Sequence, residues 1–122
     1  MIVERRQILF SSEALLEAVR LYSALPQQQD VPFGVIASAS VTSAGGNPVL
    51  NIMVQQSGAS QLRHVALNGM KILAALILLC RKRQVPIPRQ ARKTVAIEGE
   101  GLVLTLFCSD YAKNTQLEAR AA

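Results

Sequence analysis

Six cations fall within thirteen residues: Arg81, Lys82, Arg83, Arg89, Arg92 and Lys93, with no acid among them. Guanidinium and ammonium groups at this density suit phosphates or carboxylates. Pro86 and Pro88 stiffen the connection into an extended form. A rigid basic arm of this kind can lie along a phosphate backbone, so the expected partner is anionic, nucleic acid first. The same cations also have a structural use. At the end of a helix each complements the dipole by about 0.3–1 kcal/mol. Arg5, Arg6 and Arg63 would extend the patch if the first and fourth strands were neighbours.

Catalytic and metal-binding patterns are sparse. His64 is the one histidine, and no Cys, Asp or Glu lies near it in sequence. The chain contains no Gly-x-Ser-x-Gly elbow to present a nucleophile. Zinc requires clustered Cys and His, whereas Cys80 and Cys108 are 28 positions apart. Both cysteines sit in apolar segments and read as buried free thiols of a reducing compartment. Glu98 and Glu100 flank Gly99 and could weakly bind a divalent ion, but they read first as a solvated hairpin turn. Neither that stretch nor Ala44-Gly45-Gly46-Asn47 has the Gly-Lys-Ser/Thr ending of a phosphate loop. The expectation is a non-enzymatic binding protein without cofactor or metal. The alternative is a protein–protein adaptor or assembly subunit with no nucleic-acid role.

The elements that would position these residues follow from composition and pattern. Half of the 122 residues are hydrophobic and 17% are charged, which argues for a packed core rather than disorder. Trp is absent and aromatics are few, so that core is aliphatic. Phe10, Phe33 and Phe107 are assigned to it. Net charge is +5, divided unevenly: residues 1–57 balance to −1 and residues 58–122 to +6. The apolar run at 72–80 is too short for a bilayer, which needs about 20 residues. Met1-Ile2-Val3 leads straight into Glu4-Arg5-Arg6 with no apolar segment behind it, so a cytoplasmic setting is expected.

Val3 to Phe10 reads as a strand, and Ser11 or Ser12 can cap a helix over Glu13 to Leu25 that Pro26 stops. Phe33 to Val41 and Val49 to Val54 read as a hairpin around a Gly-rich turn at 42–48. Leu62 to Leu67 is strand-like, with Asn68 as a plausible cap for a helix over Met70 to Lys82. Arg92 to Ile97 and Leu102 to Cys108 form a second hairpin around residues 98–101. A shift of 57 sets Arg6 on Arg63, Phe10 on Leu67 and Leu15 on Ile72, and the two Val-Pro pairs align at 54.

The predicted fold is therefore α+β: two tandem β-α-β-β repeats, 1–57 and 58–108, forming antiparallel sheet with two helices packed on one face. Residues 109–122 form a tail, as a short helix or disordered. The 57 shift carries Glu13, Glu17 and Arg20 onto Met70, Ala74 and Ile77. The wet face of the first helix is thus apolar in the second. A helix apolar all round is buried all round. Its expected cover is a second copy of the chain, a homodimer through Met70, Ala74 and Ile77, or else the first helix and tail.

Overall fold

The structure, a computed structural model, describes residues 2–109. The tail expected beyond them lies outside the described residues. Among the described residues there are six strands and two helices, in the order β1 (Val3–Phe10), α1 (Ser12–Ser23), β2 (Val35–Ala44), β3 (Asn47–Gln55), β4 (Arg63–Asn68), α2 (Gly69–Lys82), β5 (Arg92–Glu98) and β6 (Gly101–Ser109). The class is α+β. No helix among these residues is long and apolar enough to cross a membrane.

The strands form two antiparallel sheets. Their orders are β1-β6-β5 and β2-β3-β4. Each sheet consists of a hairpin from one half of the chain and a lone strand from the other. Both hairpins close on two residues, between Ala44 and Asn47 and between Glu98 and Gly101. Gly45 and Gly46 supply the positive φ values, 60° and 84°, that such a turn needs. The turn expected over 42–48 is therefore shorter, and its flanks continue the strands. Pro48 is tolerated because β4 begins to pair with β3 only at Val49.

The order β-α-β-β occurs twice, yet the cross-half registers do not repeat. Phe10 faces Leu102, whereas Leu67 faces Leu50, two residues from the position the shifts imply. Element order by itself therefore does not establish a duplication.

The middle strands carry the core. Leu50, Ile52 and Val54 of β3 and Leu102 and Leu104 of β6 have no exposed surface, and Leu106 is nearly as buried. They meet Leu15, Ala18 and Val19 of α1 and Ile72, Ala75 and Leu76 of α2 in one cluster. Burying each large aliphatic side chain contributes roughly 1.5–3 kcal/mol. At Gly101 a Cβ would lie 1.9 Å from the Phe10 carbonyl oxygen, so only glycine lets β6 start this close to β1. Phe10 is buried as expected, but Phe33 is 98% exposed and Phe107 is only partly buried. Phe33 lies ahead of β2, where no strand pairing holds it against the core.

The helices pack against each other in antiparallel fashion; α1 also meets β1, β2 and β6, and α2 meets β3 and β4. Ser11 Oγ accepts from the Ala14 N–H at 3.2 Å and caps α1, with Glu13 in its first turn. Asn68 precedes α2 without making the side-chain cap bond expected of it. The far end of α2 is closed by backbone. The Gln84 N–H donates to Arg81 O at 3.1 Å and the Val85 N–H to Cys80 O at 2.8 Å. This Schellman arrangement puts Gln84 at φ 59°, a conformation that costs a side-chain-bearing residue about 1–2 kcal/mol.

Two polar clasps hold the helix pair. Near the α2 terminus Glu17 receives Arg83 and, at 3.4 Å, Lys82. At the opposite end Asp30 accepts from Tyr22 Oη at 2.7 Å and pairs with Lys71. Burial, followed by the hydrogen bond to Asp30, pushes the Tyr22 phenol up to about 12. The Arg83 hydrogen bond holds the Glu17 carboxyl below its usual range, with Lys82 adding to it. Lys71, and after it Tyr22, does the same for Asp30.

Two outcomes follow from these contacts. Gln84→Gly relieves the strained cap and should raise stability by about 0.5–1 kcal/mol, partly offset by the more flexible unfolded chain; a urea melt with an unchanged or lower midpoint would refute this. The lowered carboxyl values of Glu17 and Asp30 stabilise the fold above the ordinary unfolded value of about 4, and that contribution is lost as pH falls through the folded values. Stability profiles from pH 7 down to acid should therefore fall more steeply for the wild type than for a Glu17→Gln, Asp30→Asn double variant. Identical slopes would mean that the clasps do not couple to folding.

Candidate binding surfaces

The six clustered cations do not share one face. Lys82 and Arg83 turn toward α1 and Glu17. Arg81 stays exposed on the outer side of α2. The loop after α2 is anchored rather than free: Val85 and Ile87 pack against the core and Ala91 is buried. Arg6 Nη2 donates to the Pro86 carbonyl at 2.9 Å and ties this loop to β1. Lys93 Nζ donates to the carbonyls of Arg89 and Ala91, at 3.2 and 3.0 Å, and closes the last turn of the loop. Arg89 is exposed beside it. β1 and β4 lie in different sheets, so strand pairing does not bring Arg63 beside Arg5 and Arg6.

Arg92 joins a different group. On the face of β1-β6-β5 away from the core, Phe107 lies between Arg5 on β1 and Arg92 on β5, each its direct cross-strand partner. The Arg92 guanidinium stands 4.7 Å from the centre of the Phe107 ring. This cation–π contact contributes about 0.5–1 kcal/mol at an exposed site. The next row is Gln7, Thr105 and Thr94, and the one after it Leu9, Val103 and Ala96. None of these nine residues is acidic. The side chains of the outer strands are exposed, whereas Thr105 is nearly covered between them.

The arrangement presents two guanidinium groups beside one aromatic ring, with hydroxyl and amide groups in the next row. It can neutralise phosphate and stack a planar base. The sequence places Val3 to Phe10 as a strand, but Arg6 and Leu9 break the polar/apolar alternation that would show which side Arg5 takes. What sequence reasoning missed was Phe107, because Leu102 to Cys108 is apolar on both faces.

On the outer face of the other sheet His64 Nε2 lies 2.9 Å from Asn51 Oδ1, and Asn51 Nδ2 donates to Thr42 Oγ1 at 2.8 Å. This polar line ties β4, β3 and β2 together and contains no carboxylate to activate the imidazole. Among the described residues no group of three His, Cys, Asp or Glu side chains could hold a metal ion. Glu98 and Glu100 are exposed at their hairpin turn. Cys80 is buried, which pushes its thiol up and disfavours the reactive thiolate; Cys108 is half-buried, and both are free.

The second surface is α2. Ile72, Ala75, Leu76, Leu79 and Cys80 face inward. Met70 is 78% exposed, Ala74 is exposed and Ile77 is half-buried. These three and Arg81 follow i, i+4, i+7 and i+11 spacing along one side. A cleft of about 510 Å³ adjoins the start of this stripe, between Met70 and Leu73 on one wall and Val49, Lys93 and Val95 on the other. A smaller cleft of about 350 Å³ lies between β1, α1 and the end of α2, lined by Ser11, Glu13 and the Glu17–Arg83 pair, with Cys80 and Val85.

The chain matches no family model, no curated protein and no solved structure.

Proposed function

We propose that this protein is a non-enzymatic binding protein for single-stranded nucleic acid, and that the strand lies across the outer face of β1-β6-β5. The observation that carries this reading is the cross-strand row Arg5–Phe107–Arg92. Arg5 and Arg92 meet phosphates, a base stacks at Phe107 beside the Arg92 guanidinium, and Gln7 and Thr94 offer hydrogen bonds to sugar or base edges. Arg89, one turn of chain ahead of Arg92, adds positive charge at the same end. In this reading Lys82 and Arg83 belong to the helix pair, Lys93 to the loop anchor and Arg81 to the outer side of α2, and all four contribute field rather than contact. The excess of cations in the second half of the chain supports encounter with a polyanion.

A second reading is an adaptor or assembly subunit that docks through α2, and it is favoured by the exposed stripe of Met70, Ala74 and Ile77. The homodimer expected from the sequence would use the same stripe and is compatible with either reading.

The nucleic-acid reading is tested by fluorescence anisotropy with labelled DNA and RNA single strands of about 12 nucleotides, and with a duplex, up to about 0.15 M salt. The wild type should prefer the single strands. Arg5→Ala with Arg92→Ala should weaken binding at least tenfold and flatten the salt dependence by about two phosphate contacts. Phe107→Leu should weaken it with the salt slope unchanged, because a leucine fills the space but does not stack. Equal loss from Arg81→Ala would return the site to the end of α2, and binding indifferent to all these changes would refute the proposal.

A further inference from the structure

We infer that the unit recognised on the outer face of β1-β6-β5 is one nucleotide with a phosphate on each side, held across the strands by Arg5 and Arg92 with its base on Phe107. This deepens the single-strand reading and rests on it. The same unit occurs inside a strand and in a free nucleoside bisphosphate.

The cross-strand row sets the width. Phe107 is directly opposite both Arg5 and Arg92. Neighbouring strands lie about 4.8 Å apart, so the two arginines start about 10 Å from each other with the ring midway. Arg92 already brings its guanidinium to 4.7 Å from the ring centre. One base has room at the ring, and the groups left for the two guanidiniums are the phosphates that flank it.

The rows to either side set the direction. Along the strands come Gln7, Thr105 and Thr94, then Leu9, Val103 and Ala96, none of them cationic, and the face ends at Glu98 opposite Gly101. On the other side Val3 faces Ser109, again without charge. A polyanion laid along the strands would leave most phosphates without a cation and finish against a carboxylate. Laid across them, it keeps both cations and the ring in line.

The other cations limit the length. Glu17 takes Lys82 and Arg83, Lys93 is bonded to carbonyls of its own loop, and Arg6 is bonded to the Pro86 carbonyl. Arg63 lies in the other sheet. Arg89, exposed at the β5 end of the row, is left for one further phosphate. Phe107 is the one ring in these rows. The footprint is therefore about three nucleotides, shorter than the roughly 4–16 of an OB fold.

The test displaces a labelled single strand of about 12 nucleotides from the full chain at about 0.15 M salt. The competitors are adenosine 3′,5′-bisphosphate, adenosine 5′-monophosphate and unlabelled strands of increasing length. The bisphosphate should compete at least tenfold more strongly than the monophosphate. Strand affinity, corrected for the number of registers, should level off at about three nucleotides. Arg5→Ala should remove the advantage of the bisphosphate while circular dichroism stays unchanged, and Phe107→Leu should weaken both nucleotides alike. Equal competition by the two nucleotides would overturn the paired phosphates. Affinity still rising steadily to about 12 nucleotides would overturn the short footprint and leave the single-strand reading standing. Direct calorimetric titration separates the remaining cases. Bisphosphate binding that Arg5→Ala abolishes, without binding of any strand, would keep the unit and make the free nucleotide its source. Failure of strands and bisphosphate alike would refute both readings.

Discussion

β6 buries Leu102, Leu104 and Leu106 because β1 pairs along one edge of it and β5 along the other. β3 is enclosed in the same way, by β2 and by β4 from the other half of the chain. A two-stranded hairpin is marginal in water, and a third strand with a covered apolar face makes it stable. Here each half lends its first strand to the hairpin of the other, so neither hairpin is complete within its own half. The exchange also decides which residues meet on the outer faces. Arg5 flanks Phe107 only because β1 crosses to the sheet built by the second half.

Charge is redistributed by the same packing. A run of six cations in sequence becomes four separate environments. Lys82 and Arg83 neutralise Glu17 across the helix pair, and Lys93 satisfies backbone carbonyls of its own loop. Arg92 lies over an aromatic ring, while Arg81 and Arg89 remain exposed. Exposed ion pairs contribute little individually, typically about 0–1 kcal/mol. They tie α1 and the loop after it to the two ends of α2, whose seating is fixed by the buried apolar faces of both helices. Burial of Ile72, Ala75, Leu76, Leu79 and Cys80 in the core leaves Met70, Ala74 and Ile77 turned outward.

The two candidate surfaces differ in kind. The outer face of β1-β6-β5 combines charge, polarity and one ring, and suits a ligand whose phosphates and bases alternate. The α2 stripe is apolar from Met70 to Ile77 and ends at Arg81, and suits a folded element with its own apolar side. They lie on different elements, so occupancy of one does not require loss of the other.

The sequence alone determined the local elements. Ser11 as a cap, Pro26 as a stop, period-3.6 patterning and the Gly-containing turns placed both helices and all six strands to within a few residues. These are short-range effects that depend on residues three or four apart. It also identified Met70, Ala74 and Ile77 as the anomalous face of the second helix, because an apolar residue at a position the first helix keeps polar is visible without coordinates.

The tertiary structure decided the rest. The alternation of β6 was illegible because both its faces are apolar; Val103 and Thr105 are covered by neighbouring strands rather than by the core. The basic segment looked like one arm because adjacency in sequence is not adjacency on a surface. A strand sends successive side chains to opposite faces, so Arg92 and Lys93 part at once. Phe33 looked like core and is exposed, because burial depends on what packs above a residue and not on its own hydrophobicity. Strand exchange between the halves joins residues about a hundred positions apart, and no local preference encodes that choice. It is made by the burial of β3 and β6 together in one core.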